Sequence, residues 1–131
     1  MDLATVPFFE RLASSRSILL AGAGGGYDVF AGLPLYFAMR ARGARVHLAN
    51  LSFSRVDAVS GHRPAPTVVA VEPDSDGPSG YFPEKHLSAW LREQGEPPRV
   101  FAFKKSGVVQ LRDAYEALVR ELAVDAIVLV D

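Results

Sequence analysis

The sequence predicts an α/β protein with a mostly parallel, five-stranded sheet covered by helices. Three observations predict it. Short apolar runs recur along the chain, at SILLAGA, RVHLANL, TVVAV, RVFAF and AIVLV. Most of them are separated by longer stretches whose apolar residues fall at helical spacing. The runs are nearly continuous rather than alternating, which is the pattern of strands buried on both faces, and such strands are usually parallel.

Each element has its own justification. Val6 to Ser15 places Val6, Phe9, Leu12 and Ala13 on one helical face, with Pro7 suited to a first turn. Ser17 to Ala23 is the first strand and runs into glycines. Pro34 is tolerated only in a first helical turn, because deeper in it removes a backbone bond and clashes. The next helix is therefore expected to begin near Ala31, leaving 24–30 as a loop. It should end at Arg42-Gly43, with Arg40 and Arg42 favourable at its negative end.

Arg45 to Leu51 is the second strand. Ser54 to Pro66 is rich in breakers and reads as a connection with one helical turn near Val56. Thr67 to Val71 is the third strand, followed by the polar loop EPDSDGPSG. Pro83 opens a helix over Glu84 to Gln94, with Glu84 favoured in the first turn and Leu87, Trp90 and Leu91 facing the core. Arg99 to Phe103 is the fourth strand. Val108 to Ala123 carries the stripe Leu111, Tyr115, Leu118 and Leu122. Ala126 to Val130 is the fifth strand. The alternation suggests a Rossmann-like three-layer sandwich, with strand order 3-2-1-4-5 by analogy with doubly wound folds. Residues 1–131 read as a single domain. Asp131 directly follows an apolar strand that should continue into a covering helix, so the expectation is the N-terminal part of a longer protein.

Composition narrows the function. The formal net charge is −1 and the only lysine pair is Lys104-Lys105, which argues against nucleic acid and anionic membranes as partners. Cysteine is absent, which excludes disulfides and thiolate metal sites. Met1 to Thr5 carries no basic leader, and no apolar run approaches the roughly 20 residues needed to span a bilayer. A cytoplasmic protein is expected. His47, His62 and His86 are scattered without zinc-ligand spacing, and no nucleophile elbow occurs.

The stretch AGAGGGYDVFAG, residues 21–32, is the leading candidate site. In a parallel sheet, ligands bind beyond the carboxyl ends of the strands, where glycine lets a chain turn and a ligand approach closely. The expected contacts are Gly22, Gly24, Gly25, Gly26, Tyr27 and Asp28. A dinucleotide fingerprint fails at Tyr27, which takes the place of its third glycine, and at the second strand's end, which lacks a ribose-binding acid. A P-loop fails for want of G-K-[ST]. Gly25-Gly26-Tyr27-Asp28 instead resembles the G-G-x-D core of the pyrophosphate loop of ATP pyrophosphatases. An acid there repels bare phosphate but holds a bridging Mg²⁺, so Asp28 is the expected metal ligand.

Neighbouring loops add Asn50 and Ser52 after the second strand, Asp74 after the third and Lys104 after the fourth. Asp131 ends the fifth strand at the same edge. Tyr81, Phe82 and Trp90 read as core or interface rather than as a stacking platform.

ILLAGAGGGYDVFAGLPLYFAMRARG, HLANLSFS and PDSDGPSGYFPEKHLSAWL together resemble the domain-of-unknown-function family 1152 from about Ser17 to Asp131. The resemblance implies an α/β fold and a prokaryotic, cytoplasmic setting. It also implies a longer chain, in which AIVLVD runs on into a second G-G-x-D-S stretch. It implies no activity. The expected ligand is a nucleotide or phosphorylated metabolite, with Mg²⁺ and phosphoryl or adenylyl chemistry. An NAD(P)- or flavin-dependent oxidoreductase and a non-catalytic binding or assembly module, including a homo-oligomer, stand as alternatives.

Overall fold

The structure, a computed structural model, describes residues 6–131. Met1 to Thr5, read above for leader character, lies outside the described residues. The chain forms β1 (Ser17–Gly22), β2 (Arg45–Ser52), β3 (Val68–Val71), β4 (Val100–Lys104) and β5 (Ala126–Val130). The helices are α1 (Pro7–Ala13), α2 (Asp28–Ala31), α3 (Leu33–Ala41), α4 (Pro83–Glu93) and α5 (Val108–Leu122). Among the described residues, no helix is long and apolar enough to cross a membrane.

The fold is α/β with a five-stranded sheet, but the sheet is mixed and its order is β3-β4-β2-β1-β5. This corrects the expected 3-2-1-4-5 order. β1 lies parallel between β2 and β5, and β2 also pairs parallel with β4. β3 runs antiparallel to β4, with Val68 opposite Phe103 and Val71 opposite Val100.

The cause of the inversion is local. A tight turn at Pro66-Thr67 closes with the Val68 amide donating to the Ala65 carbonyl at 3.2 Å. The Ala70 amide then reaches back to the His62 carbonyl at 2.8 Å, so β3 folds against its own lead-in instead of crossing over by a helix. After β4, the 15-residue α5 carries the chain back across β2 and β1 to β5.

Side-chain alternation along the strands feeds two cores. Ile18, Leu20, Leu48 and Val100 pack with Val29, Tyr36, Met39, Leu87 and Leu91 from the helices on one face. Leu19, Ala21, Ala49, Phe101 and Phe103 pack with Ala114 and Leu118 of α5 on the other. Pro34 stands in the first turn of α3, which breaks from α2 at Gly32, but α2 already begins at Asp28, so the expected loop over 24–30 is shorter. Of the expected core residues of α4, Leu87 and Leu91 are buried, but Trp90 is exposed and meets the Phe37 ring edge-on at 6.1 Å. On α1, only Leu12 is buried. β5 forms one edge of the sheet, with Ile127 and Leu129 exposed.

Candidate functional site

The carboxyl ends of β1, β2, β4 and β5 share one edge of the sheet, and the glycine loop occupies its middle. Gly25 and Gly26 have φ of 93° and 63°, a conformation that a side chain rarely adopts. The loop is pinned at both ends, by the Ala23 amide on the Val130 carbonyl at 2.8 Å and by the Asp28 amide on the Gly25 carbonyl at 3.3 Å. Between those points, the amides of Gly24, Gly25, Gly26 and Tyr27 donate to no acceptor among the described residues. Gly24 and Tyr27 are exposed, and Gly25 and Gly26 are buried, Gly25 against the Phe53 ring.

Asn50 holds the loop from below. Its side-chain nitrogen donates to the Gly26 carbonyl at 2.7 Å and to Glu84 Oε1 at 3.0 Å. The Gly26 carbonyl can only accept, which fixes the orientation of the amide. The peptide is trans, so drawing the Gly26 carbonyl toward Asn50 turns the Tyr27 N–H away from it. Asn50 and Glu84 are both fully buried, and Asn50 Oδ1 and Glu84 Oε2 have no protein partner.

Burial corrects two expected contacts. Gly22 faces Asn50 Oδ1, and a Cβ there would stand 2.7 Å from the Val29 amide nitrogen, so Gly22 serves close packing rather than ligand contact. Asn50 is enclosed and positions the loop rather than touching a ligand.

Gly24 faces two carboxylates. The space its Cβ would fill is approached by Asp28 Oδ2 and Asp131 Oδ1 together. Neither residue is ion-paired among the described residues. No group of three or more His, Cys, Asp or Glu that could hold a metal is gathered among the described residues. A pair of oxygen donors fits Mg²⁺, which is usually held by one or two carboxylates plus substrate phosphates rather than by an all-protein cage.

Aromatic rings wall the loop. Phe53 lies against Gly25, and the Tyr81 hydroxyl stands 3.2 Å from the position of a Cβ on Gly26. Tyr27 meets Tyr81 edge-on at 5.8 Å. These rings are 60% (Tyr27), 54% (Phe53) and 45% (Tyr81) exposed, so they form a surface at the loop rather than core. Tyr81 is therefore not a core residue, whereas Phe82 is buried. Partial desolvation and the nearby Glu84 and Tyr27 push the Tyr81 hydroxyl above its ordinary pKa, so it stays protonated and can donate.

Of the remaining expected contacts, Ser52 and Lys104 end β2 and β4 as register partners beside the loop. Ser52 is buried and its Oγ accepts from the Ser54 amide at 3.0 Å. Lys104 Nζ is paired with Asp57 at 2.6 Å, and this hydrogen bond lowers the Asp57 pKa. Asp74 is not at the site. Because β3 is inverted, its exit lies at the opposite edge of the sheet, where Glu72 pairs with Arg99 and Asp74 lies 3.6 Å from Arg92.

No protein-family model, curated protein or solved structure matches the chain. Sequence reasoning missed Phe53 and Glu84 altogether as site residues. Phe53 lies between serines in the HLANLSFS segment, and Glu84 carries the same acidic signal as any first-turn carboxylate.

Proposed function

We propose that the glycine loop binds a nucleotide or another phosphorylated metabolite, with Mg²⁺ held by Asp28 and Asp131. The observation that carries this reading is the run of unpartnered amides from Gly24 to Tyr27 beside two convergent carboxylates. The amides offer donors to phosphate oxygens. Bound Mg²⁺ would supply the positive charge that lets those oxygens sit beside Asp28 and Asp131. Phosphoryl or adenylyl transfer is the class of chemistry that suits such a site, since it depends on positioning and charge neutralisation.

The dinucleotide alternative lacks support at β2, because Asn50 is enclosed and already engaged with Gly26 and Glu84. The two distinctive segments of the resemblance, the glycine loop and YFPEKHL, meet here through Asn50, Glu84 and Tyr81.

A thermal-shift panel of ATP, ADP, NAD(H), NADP(H) and pyrophosphate, each with and without Mg²⁺, tests the reading. A ligand at about 100 times its Kd should add about 2.7 kcal/mol to the stability of the folded state. Stabilisation by a phosphorylated ligand should require Mg²⁺ and should disappear in Asp28→Asn. Stabilisation by NAD(H) without metal would overturn it.

One observation favours an assembly role as a second reading. An apolar groove of about 380 Å³ lies between α5 and β5, lined by Leu51, Leu111, Tyr115, Ile127 and Leu129. Concentration-dependent sedimentation, lost on Leu129→Lys, would support it.

A further inference from the structure

We propose that a second anion subsite lies across Phe53 from the glycine loop, and that the ligand is therefore a polyphosphate such as a nucleoside diphosphate or triphosphate. This rests on the phosphate reading of the loop and extends it to residues outside that loop. The subsite is a cavity of about 470 Å³ lined by Ser52, Phe53, Ser54, Arg55, Lys104 and Lys105, with Asp57 at its wall. It sits where β2 and β4 end side by side, at the sheet edge that carries the loop.

Charge separates the two sides of Phe53. Around the loop stand Asp28, Asp131 and the enclosed Glu84. Around the cavity stand three cations, Arg55, Lys104 and Lys105, against the single carboxylate of Asp57. A phosphate group on the loop side needs a metal to screen the acids, whereas one on the cavity side meets cations directly. A phosphate chain that passes the edge of the ring reaches both environments, and a monophosphate can use only one.

Two of the three cations are placed by contacts. Lys104 Nζ is held by Asp57 at 2.6 Å, and Lys105 Nζ lies 5.7 Å from the centre of the Phe53 ring. The end of the same ring packs on Gly25, so both half-sites border it. The Ser54 hydroxyl donates to the Tyr81 carbonyl at 2.8 Å and ties this wall to the aromatic surface beside Gly26.

The test is calorimetric titration, in Mg²⁺ buffer, of AMP, ADP, ATP, orthophosphate and pyrophosphate. Wild type is compared with the double variant Arg55→Ala/Lys105→Ala and with Gly25→Val. Arg55 and Lys105 are exposed, so the double variant should keep the wild-type fold. Wild type should bind ADP about tenfold or more tightly than AMP, and pyrophosphate more tightly than orthophosphate. The double variant should bind AMP as wild type does and lose the gain from the added phosphate. If it keeps that gain, the second subsite is overturned while the loop reading stands. If wild type binds none of the probes, or if Gly25→Val binds them unchanged, the loop reading falls and this inference falls with it. A preference for ADP over AMP without one for pyrophosphate over orthophosphate would also overturn the subsite as a phosphate site.

Discussion

The two ends of the sheet handle polar groups in opposite ways. At the amino ends of the parallel strands, polar groups close on one another. Asp125 accepts from the Arg16 amide at 2.9 Å and the Ser17 amide at 3.3 Å, and the Ser17 hydroxyl donates to the Leu122 carbonyl at 3.0 Å. Glu96 takes both Arg40 at 2.5 Å and the Tyr36 hydroxyl at 3.1 Å. At the carboxyl ends, the loop amides, Asn50 Oδ1 and Glu84 Oε2 lack protein partners, and Asp28 and Asp131 face each other across Gly24. At the amino end, among the described residues, only Arg40 Nε is a buried side-chain atom without a hydrogen bond, and it is held by its ion pair with Glu96, whereas the carboxyl end leaves the loop amides, Asp28 and Asp131 for a ligand to complete. Substitutions at the amino end should therefore change stability and spare binding, and those at the carboxyl end should change both.

Asn50→Ala should give the largest effect. It removes the donor from the Gly26 carbonyl and from a buried carboxylate at once, at a cost of about 3 kcal/mol. Urea unfolding should show the loss, and any Mg²⁺-dependent ligand stabilisation should vanish with it. A stable Asn50→Ala protein that still responds to ligand would break the contrast.

Asp125→Ala should cost about 1 kcal/mol through the lost contacts to the Arg16 and Ser17 amides. Its ligand-induced shift in Tm should equal that of wild type. A reduced shift would mean that the two ends are coupled.

The smallest effect concerns pH. Burial, and then the charge of Arg45, hold the His47 pKa below the ordinary histidine value. The unfolded chain therefore binds the proton more readily, and stability falls as pH drops below about 6.5 toward the folded-state pKa. His47→Gln should flatten the wild-type curve in that window, measured as the difference between the two unfolding profiles. His47 lies 3.4 Å from the Ser17 hydroxyl, so this term belongs to the amino end and should leave binding at the loop unchanged.

All five strands were legible in the sequence to within a residue or two, because each is a nearly continuous apolar run, although β5 leaves Ile127 and Leu129 exposed. Their order and direction were not. An apolar run has no polarity of its own, and the direction of β3 was set by the turn at Pro66-Thr67. That single reversal also misplaced Asp74. At the site, Gly24 to Asp28 were legible because glycine runs after strands are uncommon. Glu84 was read as an ordinary first-turn acid, and only the fold shows that it is enclosed against Asn50. Phe53 was hidden because its site neighbour, Gly25, is distant in sequence.

The position of β1 has a consequence for synthesis. β1 leaves the ribosome before β2 and β5, yet it lies between them, and Leu20 must pair with both Leu48 and Val128. While residues 53–125 are being made, one side of this apolar strand has no native neighbour, and its backbone can template pairing with other chains. The glycine loop is in the same position, since its Ala23 anchor closes only on the Val130 carbonyl. The nascent protein thus waits on β5 both to cover its sheet and to set its loop, and this interval is when it would benefit most from a chaperone.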